Sequence, residues 1–120
     1  MLAAIYTVYA EGWSDPAGTQ ARTRGLAEEG IWLGRLVASL LPQEPEALGL
    51  LALMLHAEAR RGARRDTRDE FVPLYAQDSA RWDAALIDEA EALLRCASRL
   101  GAPGRFQLEA AVQSAHAGLR

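Results

Sequence analysis

The sequence predicts an all-α protein built from antiparallel helical hairpins, a compact array of about five helices. Three observations carry this expectation. Apolar residues recur at helical rather than strand spacing along nearly the whole chain, glycines and prolines punctuate it at intervals of one helix, and alanine is abundant throughout. The chain has 120 residues, of which half are apolar and about a quarter charged, which suits one globular domain with its own core. Residues 1–120 are therefore expected to form a single helical domain.

The first helix is carried by Leu2, Ile5, Tyr6, Tyr9 and Trp13. Only Met1 precedes it, with no Ser, Thr, Asp or Asn to cap its first amides, which suggests a chain cut within a helix. The stretch GWSDPAGT (Gly12 to Thr19) is a loop by its turn chemistry. A second helix is expected from about Gln20 to Leu41. Leu26, Leu33, Leu36, Val37, Leu40 and Leu41 would lie on its buried side, with Glu28, Glu29 and Arg35 in water and Pro42 ending it.

Pro45 suits the first position of a third helix, and Glu46 its positively polarised first turn. The middle of this helix, ALGLLALMLHA, is apolar on nearly every side, as expected of a helix surrounded by others. Gly49 within it costs about 1 kcal/mol in helix propensity and is read as a structural anchor where another helix comes close. Gly62 closes the helix. Residues 63–77 change character and are left as a long loop or a short hairpin around FVPLY, where Pro73 cannot donate to a ladder.

A fourth helix begins after Asp78 or Ser79, either of which can cap it. Leu86, Ile87, Ala90, Leu93, Leu94 and Ala97 form its inner stripe, continued by Leu100, and Glu91 with Arg95 is an expected pair on its wet side. The turn GAPG (Gly101 to Gly104) leads to a fifth helix expected to bury Leu108, Ala111, Val112 and Ala115. The second helix is expected to pair with the third and the fourth with the fifth. The abundance of Ala and Gly at crossing positions resembles tetratricopeptide packing, although no strict repeat signature recurs.

The net charge of −3 and pI near 5.4 give no overall positive field for a phosphate backbone, so no direct DNA binding by this chain is expected. All thirteen basic residues are Arg, consistent with codon bias rather than function. Five of them fall in RRGARRDTR, from Arg60 to Arg68. Arg60 and Arg61 sit at the negative end of a helix dipole, and Asp66, Asp69 and Glu70 neutralise the rest, so a solvated run is preferred to a phosphate site. The apolar start MLAAIYTVYA is a poor signal peptide and far short of the ~20 residues of a membrane span, which points to a cytoplasmic protein with no membrane contact.

No metal, cofactor or catalytic site is expected. His56, His116 and Cys96 lie on three different helices without close-spaced ligand pairs, and Cys96 reads as a small buried hydrophobe. There is no GxSxG elbow, no phosphate loop and no HExxH. The most distinctive stretch is QDSARWD (Gln77 to Asp83). Trp82 and Asp78 are read as structural anchors, with the ring of Trp82 packed between the Phe71 to Tyr75 loop and the fourth helix. Candidate protein-interaction residues are Trp32, Arg35, Arg81 and Asp83, since aromatic and Arg side chains dominate interface hot spots. Trp13 is read as core.

Three segments, EEGIWLGRLVASLLPQEPEALGLLALMLHAEARRGAR, QDSARWDAALIDEAEALL and GAPGRFQLEAAVQSAHA, resemble in order and spacing the tetratricopeptide-like C-terminal extension of a group of extracytoplasmic-function RNA polymerase sigma factors. IYTVYAEGW resembles the opening of that extension, so the likeness covers nearly the whole chain from Ile5. Two departures are Trp32, where an Arg is more usual, and FVPLYA, which is less acidic than its counterpart.

The resemblance implies a C-terminal fragment of a longer sigma factor, acting in transcription initiation as a regulatory or protein-interaction domain. Its implied partners are the upstream sigma regions and the RNA polymerase core. The DNA-binding sigma regions, one of them a helix-turn-helix, are absent from these residues. A stand-alone helical adaptor and a small helical enzyme or ligand carrier are the competing readings. The first predicts no upstream coding sequence, the second a closed apolar pocket with convergent polar groups.

Overall fold

The computed structural model describes residues 1–13, 21–63, 70, 72–73 and 76–118, the side chains of 12–13 and 21–24 excepted. Among these residues the chain forms five α-helices and no strand: α1 (Leu2–Trp13), α2 (Ala21–Leu40), α3 (Pro45–Ala59), α4 (Ala84–Arg99) and α5 (Arg105–Ala117). Short 3-10 turns follow α3 at Arg61–Ala63 and precede α4 at Ser79–Arg81. Most of residues 63–77 and the core role of the Trp13 side chain lie outside the described residues.

α3 is the centre of the molecule. Leu50, Ala52, Met54 and Leu55 are fully enclosed, and all four other helices pack on it. Its start agrees with the sequence reading, Pro45 falling in the first turn and the Glu44 side chain accepting a hydrogen bond from the Glu46 amide. α2 runs antiparallel to α3 through the turn at residues 41–44. A Cβ on Gly34 of α2 would strike the Met54 methyl, and one on Gly30 would strike Tyr9 of α1. α4 is also antiparallel to α3, because the Asp83 amide donates to the Ala59 carbonyl at 2.8 Å where one helix ends and the other begins.

α5 runs parallel to α3. At one end the α5 amides of Phe106 and Gln107 donate to the Glu46 carboxylate at 3.1 and 3.0 Å. At the other, Ala117 packs with Ala59 and Ile87. The N-cap position Gly104 offers no side chain, so Glu46 of a different helix supplies the acceptor that the first α5 amides need. The Tyr6 ring of α1 packs on the Phe106 ring at 5.6 Å, with the Arg105 guanidinium over both. Gly101 turns the chain between α4 and α5 at φ 74°, in the left-handed region that glycine enters without strain.

Two expectations need correction. The dominant partnerships are α1 with α2 and α3 with both α4 and α5, whereas α4 and α5 touch each other little. An all-round apolar α3 offers α4 and α5 more surface than they offer each other, while α1 packs chiefly on α2. The buried faces of two helices are also rotated from those expected. α5 buries Phe106, Ala110 and Ala117 and leaves Leu108 and Val112 exposed, as are Ala111 and Ala115. α2 buries Ala27, Gly30, Ile31, Gly34, Val37 and Ala38 and leaves Leu36, Leu40 and Leu41 exposed, with Leu26 and Leu33 half-buried. The cause is close approach: where backbones nearly touch, small residues fill the contact and the larger leucines are turned outward.

Gly49 meets backbone rather than a movable side-chain end, since a Cβ there would sit 2.7 Å from the Gln107 backbone. Gly25 of α2 has open space around it. Gly49→Ala is expected to destabilise the protein by about 1 to 3 kcal/mol through overpacking. Gly25→Ala should stabilise it by up to about 1 kcal/mol through helix propensity. Urea unfolding of both variants checks this, and a Gly49→Ala protein as stable as the parent would contradict the packing.

Candidate interaction surface

The inward rotation of small residues on α2 leaves an apolar stripe on its opposite face. Trp32, Leu36 and Leu40 follow one another at four-residue spacing, the repeat that keeps side chains on one helix face. They are 62%, 41% and 69% exposed. Leu41 adds to the stripe at its foot, where Leu40, Leu41, Pro42, Gln43 and Glu44 line a shallow concavity. A single exposed leucine is ordinary, but an aromatic and two leucines aligned on one face, with a third leucine at its foot, make a candidate contact surface.

Of the four residues singled out in the sequence, the structure brings two to this surface. Trp32 stands on it. Arg35 borders it and is held by Glu89 of α4 through two nitrogens, at 3.3 and 3.0 Å. Beside it a groove over α3 is lined by Glu28, Ile31, Arg35, Leu55, Glu58 and Leu86.

Arg81 and Asp83 lie elsewhere and are engaged in the fold. The Arg81 guanidinium donates to the Gly62 carbonyl, tying the turn before α4 to the turn after α3. Asp83 is the N-cap of α4, its carboxylate accepting from the Leu86 amide at 3.2 Å. Asp78 caps the 3-10 turn instead of α4, accepting from Ala80 at 3.0 Å.

Trp82 is half-buried against the cluster of Ala59, Ile87 and Ala117, where the ends of α3 and α5 meet the start of α4. Its indole N–H donates to the Gln77 side-chain oxygen at 3.1 Å, and the Gln77 amide donates to the Val72 carbonyl. Phe71, Leu74 and Tyr75, its other expected neighbours, lie outside the described residues.

A second polar cluster joins three helices. His56 of α3, 2% exposed, faces Glu91 of α4 at 3.5 Å, and the Ser114 hydroxyl of α5 donates to the Glu91 carboxylate at 2.8 Å. Glu91 therefore serves an interhelical contact and not the expected pair with Arg95.

Among the described residues, no three His, Cys, Asp or Glu side chains come together as metal ligands, and no helix is long and apolar enough to cross a membrane. Cys96 is exposed rather than buried, and the Arg99 guanidinium reaches its sulfur at 3.3 Å. It misses the core because Ala97 takes the inward position.

At the start of the basic run, Arg61 bonds both oxygens of Glu58 at 2.6 and 3.0 Å. Desolvation pulls its pKa down, but the Glu58 hydrogen bonds and the charges of Glu58, Tyr9 and Glu28 outweigh that, and the net shift is upward. Burial lowers the pKa of the neighbouring Arg60. Arg64, Arg65 and Arg68 lie outside the described residues.

Sequence reasoning missed three interhelical contacts: Glu46 capping α5, Arg35 with Glu89, and Ser114 with Glu91. Only the first left a trace in the sequence, the GAPG start of α5 with no capping side chain of its own.

An all-α hairpin array with an exposed α2 stripe and interhelical polar ties defines a helical module. The chain belongs to the family of unknown function DUF6596, whose profile matches residues 1–98. It is 40% identical over 113 residues to the uncharacterized protein R00370 of Rhizobium meliloti (strain 1021), an alignment covering 94% of this chain and 27% of that protein. The chain thus spans about a quarter of the length of the curated relative it matches. No solved structure matches it.

The two tryptophans separate stability from surface. Trp82→Ala is expected to cost about 3 kcal/mol, the low end for large aromatic truncations because the ring is only half-buried. Trp32→Ala should change stability by less than about 0.5 kcal/mol. Denaturant unfolding compares them, and a Trp32→Ala protein as damaged as Trp82→Ala would mean that Trp32 belongs to the core.

Proposed function

We propose that this chain is the C-terminal regulatory, protein-interaction domain of an extracytoplasmic-function RNA polymerase sigma factor and acts in transcription initiation by binding rather than by catalysis. The observation that carries a docking role is the α2 stripe. Trp32, Leu36 and Leu40 are large apolar side chains left exposed together on the face turned away from the core. A domain that spans about a quarter of a relative is suited to work on the rest of its own protein.

The sigma-factor reading is supported by the ordered resemblance of residues 28–64, 77–94 and 101–117 to the extension of such factors. On this reading the partners are the upstream sigma regions or the polymerase core, in the cytoplasm, and the upstream regions make the promoter contacts. An acidic domain suits that division, since its net charge of −3 does not attract DNA.

The test deletes residues 1–120 from the full-length protein and measures reporter transcription from its target promoter, with protein abundance followed in parallel. Transcription should change at equal abundance, in either direction according to whether the domain activates or restrains the upstream regions. Unchanged transcription at equal abundance would overturn the reading.

A further inference from the structure

Among the described side chains, the exposed charge around the α2 stripe is mainly acidic. Glu28 and Glu29 are exposed beside Trp32, and Glu44 is exposed beyond Leu40. The nearest described cations are already engaged, Arg35 by Glu89 and Arg61 by Glu58, with the charge of Glu28 also acting on Arg61. Arg22 and Arg24 lie more than two turns before Trp32. The last turn of α2 carries no basic residue, so the negative end of its dipole, next to Leu40, is also uncompensated. An apolar line of helical period thus runs between carboxylates toward an electronegative helix end.

We infer that the outward face of α2 docks a basic, amphipathic helical segment of a protein partner. Apolar side chains of the segment lie along Trp32, Leu36 and Leu40, and its Lys or Arg residues meet Glu28, Glu29 and Glu44. Helix-on-helix recognition through anchors one turn apart is an established binding mode, and an exposed Trp is a strong anchor type. The charge pattern disfavours the alternatives. A nucleic acid or anionic membrane would meet carboxylates. In a two-fold pairing of this face with itself, each carboxylate group would approach another. The inference deepens the interaction reading above and rests on it only for the premise that the surface binds protein.

The test uses the whole chain and two synthetic helical peptides with leucines along one face, one with flanking lysines and the other with flanking glutamates. Binding is followed by calorimetry and by tryptophan fluorescence, with a Trp32→Phe variant isolating the contribution of Trp32 from those of Trp13 and Trp82, and the chain's own association by sedimentation. The lysine peptide is expected to bind, more weakly as salt rises. Its affinity should fall about tenfold or more in the Leu36→Ser, Leu40→Ser double variant and in the Glu28→Lys, Glu29→Lys variant, a loss of about 1.4 kcal/mol per decade. Unchanged thermal unfolding of each variant shows that folding is intact.

Equal binding of the glutamate peptide, or affinity unchanged in both variants, would overturn the inference. A concentration-dependent dimer abolished by the leucine substitutions would also overturn it, by assigning the face to a second copy. Peptide binding as expected, together with unchanged transcription on domain deletion, would sink the sigma-factor reading and leave this surface standing. The opposite pair of results would do the reverse.

Discussion

The burial of α3 sets the terms for the rest of the molecule. A helix that is apolar on every side has to be enclosed by neighbours on every side, and four helices do this for α3. Enclosure brings backbones close, so contact positions hold glycine and alanine: Gly34 against Met54, Gly49 against the start of α5, with Ala90 and Ala110 buried on the flanking helices. Close approach also lets Glu46 reach the first amides of α5, which have no capping side chain from their own segment. Part of the α3 sequence therefore builds the beginning of α5, and the two helices are fixed in parallel register.

This same constraint explains why large apolar residues appear outside. Each helix has a limited inward face, and once small residues occupy it, leucines at other phases point to solvent. On α5 these are Leu108 and Val112, and on α2 they are Leu36 and Leu40, joined by Trp32. The α2 face differs from the α5 face in having an exposed aromatic, carboxylates at both ends and a helix terminus without a compensating cation. Those three features give it a chemical direction. Trp82, Asp83 and Arg81 hold the junction of α3, α4 and α5, while Trp32 takes no part in the described core.

Helix positions were legible in the sequence because they depend on local signals. Pro45, the Asp78 to Asp83 stretch and Gly101 to Gly104 punctuate the chain, and α3 announces its burial by lacking a polar face. Gly49 was legible because a helix-interior glycine needs a reason, and the reason is the α5 backbone. Helix phase was not legible where two apolar stripes compete. Reading α5 by its bulkiest residues selects Leu108 and Val112, whereas the close α3 to α5 contact selects Ala110. Interhelical polar ties such as Arg35 with Glu89 were equally hidden, because 54 positions separate the partners and nothing local marks either one. Of the candidate residues chosen by type, Trp32 and Arg35 lie on or beside the exposed α2 face, whereas Arg81 and Asp83 are engaged in the fold.

Hydrogen exchange of the isolated chain and of the same residues within a full-length protein tests most directly that a closed α3-centred core leaves α2 for a partner. Amides of α3 should exchange slowest in both forms, since opening them requires global unfolding. Amides of the Glu28 to Leu40 segment should gain protection only in the longer protein, with α5 unchanged. Equal exchange of α2 in the two forms, or gained protection confined to α5, would contradict the account.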